Sequence, residues 1–166
     1  MNKLINFLEA INEYVGRAVS VIGFVLLFVV MYEVIARKIF SSPTIWGFEL
    51  SYMLYGALFI LGAGYTLKHK MHISIDVIYG ALPKKVQGIM DIVGYIIFFF
   101  PFMGVAIYAT GKFTLQSWQG LEHGQSAWAP AIYPYKTLIP IGFILLTIQG
   151  IAEFLKAFRK FKSEES

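Results

Sequence analysis

Hydrophobic residues along the chain fall into four long runs that are separated by shorter polar stretches. The runs cover about residues 14–37, 46–67, 86–112 and 136–158. A helix needs roughly 20 apolar residues to cross the hydrocarbon core of a bilayer, which is about 30 Å thick. The pattern therefore predicts an all-α integral membrane protein with four transmembrane helices in a single membrane domain, residues 1–166.

An amphipathic stretch, residues 2–13, precedes the first run. Leu4, Ile5 and Leu8 follow helical spacing, and the charged residues lie elsewhere around the helix. The stretch is interpreted as a short N-terminal amphipathic helix at the membrane surface. The alternative, weighted equally, is that these residues are the first turns of the crossing helix itself.

A second amphipathic stretch, residues 72–82, lies between the second and third runs. Ile73 and Val77 fall on one side of a helix there, and Asp76 faces another side. Pro83 cannot continue the hydrogen-bonding pattern and marks the end of the stretch. This pattern predicts an interfacial helix in the headgroup plane.

The third run contains Pro101 near its middle, which predicts a kink. After Lys112 the chain becomes polar and aromatic, and residues 113–135 are predicted to form the longest connection. Tryptophan and tyrosine residues in this connection suit a membrane boundary.

The composition also favours a membrane protein. Of 166 residues, 57% are hydrophobic and 14% are charged, and the mean hydropathy is +0.64. Soluble domains contain about 25% charged residues. Four crossings leave no room for a sizeable soluble domain. The lack of cysteine excludes disulfides, thiolate metal ligands and cysteine nucleophiles.

Basic residues are distributed unevenly between the two sides of the predicted domain. Cytoplasmic loops carry an excess of lysine and arginine, so the distribution predicts that both termini lie in the cytoplasm. Because the basic residues stand at the ends of apolar runs, the net charge of +4 does not indicate nucleic acid binding. The side of the termini has Lys3, Arg17, Lys68, Lys70, Lys84, Lys85, Lys156, Arg159, Lys160 and Lys162, and the opposite side has Arg37, Lys38, Lys112 and Lys136.

The ionisable residues of the predicted crossings lie near the helix ends. Glu33 and Arg37 are four residues apart, so they share a helix face and can pair. With Glu49 they fall near the outer boundary, whereas Arg17, Asp91 and Glu153 fall near the inner boundary. Because unpaired charge in lipid is costly, structural roles are favoured over a substrate or proton site.

Three further features of the crossings favour helix packing. Gln149 is the deepest strongly polar residue and is a candidate for a hydrogen bond between helices. Trp46 stands where an interfacial anchor is expected. Gly56 and Gly64 give the second crossing small surfaces that let another helix approach closely.

Enzyme and cofactor chemistry finds little support in the sequence. His69, His72 and His123 lie in connections, whereas a haem held by two histidines needs them inside the helix bundle. The His-x-x-His spacing at 69 and 72 is better explained by a basic segment next to the membrane than by a metal site. No nucleophile elbow or P-loop is present. We expect no enzyme activity, cofactor or metal.

Several short motifs along the chain are similar to those of a known family. Arg37 closes the first crossing and is followed by a Ser-Pro turn and by WGFELS at 46–51. HISIDV at 72–77 and Leu82-Pro83 follow the second crossing, and SAWAPAIYPYKTLIPIGFILLTIQGIAE occupies 126–153. In their order and spacing these motifs resemble the small membrane subunit (the Q subunit, or DctQ-like small permease) of tripartite ATP-independent periplasmic (TRAP) transporters.

The resemblance implies a scaffold subunit in the bacterial inner membrane. Its partners would be a large multi-spanning M subunit, which binds substrate and sodium, a periplasmic substrate-binding P subunit and membrane lipids. The substrate would be a small organic acid. Trp46 and Glu49 would belong to the outer rim of the second crossing, and His72 and Asp76 to the inner surface helix. All four are expected to shape the scaffold, not to contact substrate.

Two other hypotheses remain open from the residues. A self-sufficient transporter or channel would assemble as a homo-oligomer around Glu33 or Glu153. A membrane anchor of a redox complex would carry haem, which the histidine positions disfavour.

Overall fold

The computed structural model describes residues 2–69 and 83–163 of the chain. The predicted interfacial helix at 72–82 lies outside the described residues, as do His72 and Asp76. That part of the expected architecture therefore stays a prediction.

The described residues form four helical stretches that are long and apolar enough to cross a membrane. This confirms the predicted all-α fold class with four crossings. The elements are α1 (Asn2–Lys38), α2 (Gly47–Lys68), α3 (Lys84–Gly94), a π-helical turn (Tyr95–Phe99), α4 (Phe100–Gln119), the short α5 (Tyr133–Lys136) and α6 (Leu138–Ser163).

The amphipathic stretch at 2–13 is part of α1, which runs without interruption for 37 residues. Of the two alternatives, direct continuation into the crossing is therefore the correct one, and a separate N-terminal helix is not. At about 1.5 Å per residue α1 is roughly 55 Å long, well beyond the thickness of a hydrocarbon core. Its first turns therefore extend past the apolar part of the bundle.

The third crossing changes its hydrogen-bonding pattern just before Pro101. The Phe100 N–H donates to the Tyr95 carbonyl, five residues back, in the π-helical turn. A proline has no N–H and crowds the carbonyl four residues before it, so a wider turn at this point relieves the conflict. The structure thus has a π-helical turn before Pro101, and the predicted kink itself stays a prediction.

The helix then continues to Gln119, so the prediction that the connection begins at 113 is wrong. The last turns of α4 pack on the short helix α5, which no local pattern indicates. The Thr114 hydroxyl donates to the Lys136 carbonyl at 3.0 Å, and the Lys136 ammonium lies 4.1 Å from the centre of the Phe113 ring. The indole N–H of Trp118 also donates to Thr137.

Helix α6 is the centre of the described bundle, since it packs against α1, α2, α3 and α4. Ala152 and Gln149, both fully buried, lie on it. Gly142 lets α6 approach the backbone of α2 at Ile60. Many large apolar side chains of α1 and α4 are exposed instead, as expected for surfaces that contact lipid or another membrane protein.

Candidate functional site: two polar clusters at opposite ends of the bundle

Every seventh residue of α1 lies against the rest of the bundle. Ile5, Val19 and Leu26 supply apolar members of this stripe, but the positions near its two ends are Asn12 and Glu33. A repeat of seven keeps side chains on one face of a helix over many turns. The stripe therefore carries one polar side chain into the bundle near each end.

The first group of polar residues lies where α1 turns into α2, and we name it the turn-side cluster. It consists of Glu33, Arg37, Thr44 and Gly47. Oε1 of Glu33 accepts from Arg37 at 2.7 Å, which confirms the predicted pairing of these two residues. Oε2 accepts from both the hydroxyl and the backbone N–H of Thr44.

Thr44 also links the carboxylate to the start of α2. Its Oγ1 accepts from the Gly47 N–H at 3.0 Å. A side chain at Gly47 would overlap with Oε2 of Glu33, so the close approach at this position requires glycine. One carboxylate therefore organises the helix end, the turn and the next helix start.

Trp46 and Glu49 lie beside this cluster but do not join it. The Trp46 ring stacks on Tyr32 of α1, with centroids 5.8 Å apart. Glu49 is half-buried, and its Oε2 has no hydrogen-bond partner among the described residues. A side chain at Gly124 would come within 3.6 Å of the other carboxylate oxygen, so Glu49 lies under the α4–α5 connection. The carboxylates of Glu33 and Glu49 therefore lie in separate environments.

The second group lies where α1 begins and α6 ends, and we name it the terminus-side cluster. It consists of Glu9, Asn12, Glu13, Lys68, Gln149, Glu153 and Lys156. At its centre the Asn12 side-chain amide donates to Oε1 of Gln149 at 3.3 Å. Asn12 is 1% exposed and Gln149 is 0% exposed, so this contact is fully inside the bundle. The predicted hydrogen bond of Gln149 between helices is confirmed.

Gly64 of α2 completes this layer. A side chain at this position would overlap with Oδ1 of Asn12 and would lie 3.2 Å from the Leu145 carbonyl of α6. The glycine therefore allows α1, α2 and α6 to meet at one level. Gly56 has a comparable role closer to the start of α2, where a side chain would overlap with the Tyr135 hydroxyl. Both predicted glycines pack within this chain.

Charged residues surround the buried amides on the terminus side. Gln149 donates to Glu153 at 3.0 Å, and Lys156 donates to the same carboxylate at 2.8 Å. Lys156 also pairs with Glu9 of α1. The cation thus bridges two helices.

A second ion pair of this cluster joins α1 to the end of α2. Lys68 donates to Glu13 at 2.7 Å, and Arg17 binds the other oxygen of the same carboxylate at 3.0 Å. Arg17 therefore pairs with Glu13, whereas Glu153 pairs with Lys156 on its own helix.

The two clusters are separated by about the thickness of a hydrocarbon core. Glu33 follows Asn12 by 21 residues, which is about 31 Å along α1, and Gly64 follows Gly47 by 17 residues, about 26 Å along α2. Between the clusters the four helices carry no charged residue, in the segments 18–32, 50–67, 92–111 and 137–152.

A third polar contact lies outside the membrane-spanning segments, in the α4–α5 connection. Glu122 accepts from Ser117 at 2.7 Å and pairs with Lys136. The hydrogen bond from Lys136, followed by that from Ser117, lowers the pKa of Glu122 below its ordinary value. The backbone N–H of Ile132 donates to the Glu122 carbonyl, so this residue also closes the loop.

Sequence reasoning missed Asn12, Thr44, Glu9 and Lys156 as members of these clusters. The seven-residue spacing back from Glu33 was the available signal for Asn12. No sequence pattern pointed to Thr44, because its role depends on how the turn between α1 and α2 folds. Among residues 2–69 and 83–163, no group of three histidine, aspartate or glutamate side chains is arranged to hold a metal ion.

Comparison with known proteins places the same chain beside membrane transport components. The sequence profile of the family described as "Tripartite ATP-independent periplasmic transporters, DctQ component" matches residues 26–160. The sialic acid TRAP transporter permease protein SiaT of Haemophilus influenzae is 22% identical over 121 residues. That match covers 70% of this chain and 19% of SiaT, so the chain spans about a fifth of its relative's length.

Proposed function

Because the chain belongs to the DctQ component family of TRAP transporters, we propose that it is the scaffold subunit of a sodium-coupled secondary transporter. In this role it has no catalytic step. It holds a fixed position in the membrane while a larger partner subunit moves substrate. The imported substrate is a small organic acid delivered by a periplasmic binding protein.

The observation that carries this proposal is the pair of polar clusters at the two ends of the bundle. Polar contacts at the terminus side join α1, α2 and α6, and those at the turn side join α1 to the start of α2. Buried polar contacts of this kind fix the relative positions of helices. A domain held at both ends suits a static support.

The exposed apolar faces of the bundle support a role in assembly. They are broad on α1 and on α4 and carry many aromatic side chains, which suits contact with a membrane-embedded partner. Examples are Phe24, Leu27, Phe28 and Met31 on α1 and Phe102, Val105 and Tyr108 on α4, with Phe98 of the π-helical turn beside them. We propose that a large multi-spanning M subunit covers part of these faces and that lipids cover the rest.

The orientation and location are part of the proposal. The excess of lysine and arginine on the side of the termini favours cytoplasmic termini. The turn-side cluster and the α4–α5 connection then face the periplasm, where a P subunit approaches. The membrane is the bacterial inner membrane.

Substrate selection belongs to the partners in this proposal. The relative SiaT is named for sialic acid, which is a carboxylic acid. Sialic acid is therefore the first substrate to test with this chain and its partners. Identity of 22% does not carry the substrate over to this chain.

Reconstitution of the components into proteoliposomes tests the proposal. The chain alone should show no uptake of labelled acid above that of empty vesicles, with or without an inward sodium gradient. Addition of the large subunit and the binding protein should give sodium-dependent uptake. Uptake by this polypeptide alone would contradict the scaffold role and would support the self-sufficient homo-oligomer.

A disulfide between α1 and α2 separates a static scaffold from a moving one. The Asn12 Cγ lies 2.9 Å from the position of a Cβ at residue 64, which suits a disulfide between Asn12→Cys and Gly64→Cys. The chain has no cysteine of its own, so no other bridge within it competes. In the complete transporter, uptake by the oxidised form should remain within about twofold of the reduced form.

Both single-cysteine variants serve as controls for the loss of Asn12 and Gly64. Loss of uptake on oxidation, with recovery after reduction, would mean that α1 and α2 move during transport. That outcome would exclude a static scaffold while leaving membership of the transporter intact.

A further inference from the structure

A groove between α1 and α2 opens to the surface beside the turn-side cluster. Its volume is about 380 Å³. The side chains that matter for its chemistry are Val30, Glu33, Val34, Arg37, Lys38 and Phe48. The groove thus has apolar walls toward the charge-free part of α1 and two cations at its polar end.

The cations of the groove exceed its available anions. Both oxygens of Glu33 are already occupied, by Arg37 and by Thr44. Arg37 remains 57% exposed despite this pair. Among the described residues Lys38 has no ion pair, and it is exposed. One carboxylate therefore faces two cations, which leaves room for one more negative charge.

The end of α1 opposes an anion less than a bare helix C-terminus would. Helix C-termini carry unpaired carbonyl groups that repel negative charge. Here the N–H groups of Ile39 and Ser42 donate to the carbonyls of Ile35 and Ala36. The side chains of Arg37 and Lys38, both in the last turn of α1, offset the partial negative charge that remains at this helix end.

The apolar part of the groove extends from the cations toward the middle of the bundle. Val34, 53% exposed, and Val30, 41% exposed, stand one and two turns before the cations, and Phe48 of α2 is 76% exposed opposite them. The distance from Val30 to Arg37 is about 10 Å along the helix. A ligand that fits has an anionic head and a hydrocarbon chain attached to it.

We propose that this groove binds one monoanionic diacyl phospholipid. The phosphodiester lies between Arg37 and Lys38, and the first part of an acyl chain lies along Val30, Val34 and Phe48. A zwitterionic phospholipid fits less well, because its ammonium group would be repelled by Arg37 and Lys38 while Glu33 is already paired. This inference depends on the membrane location of the chain and not on its proposed role in transport.

Native mass spectrometry of the purified full-length protein in detergent tests the proposal. Phosphatidylglycerol and phosphatidylethanolamine with identical acyl chains are the probes. The protein should retain phosphatidylglycerol preferentially. Lys38→Gln should weaken its binding by about fivefold, as expected for one lysine at a lipid surface. Lys3→Gln, at the other end of α1, should leave binding unchanged.

A second variant tests the apolar wall without a change in charge. Val34→Trp places a large side chain in the groove on an exposed face of α1 and should prevent retention of phosphatidylglycerol. Inorganic phosphate and glycerophosphoglycerol, which lack acyl chains, should not displace the lipid. Thermal unfolding of each variant checks that the fold is retained.

Three results would overturn the proposal. Equal retention of the two lipids would exclude a site for an anionic headgroup. Displacement by inorganic phosphate would indicate a site for a soluble anion. If Lys38→Gln weakened co-purification of the partner subunits but left lipid retention unchanged, the groove would instead belong to a protein interface.

Discussion

The two polar clusters stabilise the same bundle by different chemistry. At the terminus side the most buried polar groups are neutral amides, Asn12 and Gln149, and the ionised side chains lie around them. At the turn side the buried group is itself a carboxylate, Glu33, and its cation remains largely exposed. Removing water from a charged group costs more free energy than removing it from a neutral amide. Ions are therefore kept where water or headgroups still reach them.

The clusters also differ in which parts of the chain they join. The contact of Asn12 with Gln149 connects residues 137 positions apart, whereas Glu33 and Thr44 are 11 positions apart. Loss of a local contact leaves the chain connection to hold the two segments together. Loss of a long-range contact leaves only packing. We therefore expect the terminus side to be more sensitive to substitution.

The largest effect is expected for Gln149→Ala. The variant leaves a cavity and removes the partner of buried Asn12, so the free energy of unfolding should fall by about 3 kcal/mol. Urea or thermal unfolding in detergent measures the difference. Gln149→Leu keeps the volume and should lose only about 1 kcal/mol.

Thr147→Ala is the matched control on the same helix. The Thr147 hydroxyl only donates to the Phe143 carbonyl of its own helix, so stability should hardly change. If Gln149→Ala and Thr147→Ala had the same effect, the buried amide contact would not be a main stabilising feature of this end.

A smaller effect is expected for Glu33→Ala. The variant removes the acceptor of Thr44, but Arg37 can turn toward water, so Tm should fall by about 3 °C. Partner co-purification should fall as well, because the turn between α1 and α2 loosens. Glu33→Gln retains an acceptor for Thr44 and should lose less. An altered substrate profile with normal assembly would contradict this structural role.

The contact of Glu122 with Lys136 makes the α4–α5 connection sensitive to acid. The pKa of Glu122 is lowered in the folded protein, so this contribution to stability is fully present above the ordinary glutamate value near 4.5. It is lost as the pH falls through the lower folded value. The connection should therefore loosen only under acidic conditions.

Fluorescence of Trp118 reports this transition, because its ring packs on Tyr133 with centroids 4.7 Å apart. Trp46→Phe and Trp128→Phe remove the other two tryptophans. Glu122→Gln should abolish the change in Trp118 fluorescence that accompanies acidification from pH 5. An unchanged transition in that variant would assign the effect to another group.

The smallest effect is expected for Arg17→Gln at the rim of the terminus-side cluster. The Arg17 side chain is 76% exposed, and Glu13 keeps its second partner Lys68. Exposed pairs of this type contribute little, so Tm should stay within about 1 °C. Lys68→Gln is the comparison, since the Lys68 side chain is 20% exposed and joins two helices. If the two variants lowered Tm equally, exposure would not distinguish the contribution of Arg17 from that of Lys68.

Local patterns were enough to predict the four crossings and the pairing of Glu33 with Arg37. Hydrophobic length and four-residue spacing depend only on neighbours in the chain. The contact of Asn12 with Gln149 depends on which helices meet, and single-sequence reasoning identified only one of its two members. The extension of α4 to Gln119 was missed for the same reason, because α5 supports it from across a connection.

The π-helical turn at 95–99 has a consequence for how the third crossing is read. Gly88, before the turn, and Tyr95, its first residue, face α6, and Met103 and Ser117 are inward-facing after it. Neighbours in this series are seven or fourteen positions apart except across the turn, where the interval is eight. One additional residue therefore shifts the phase of the whole second half. A homologue that lacked one residue here would keep both inward faces by forming an uninterrupted α-helix, so a single-residue gap at this point would mark conserved packing.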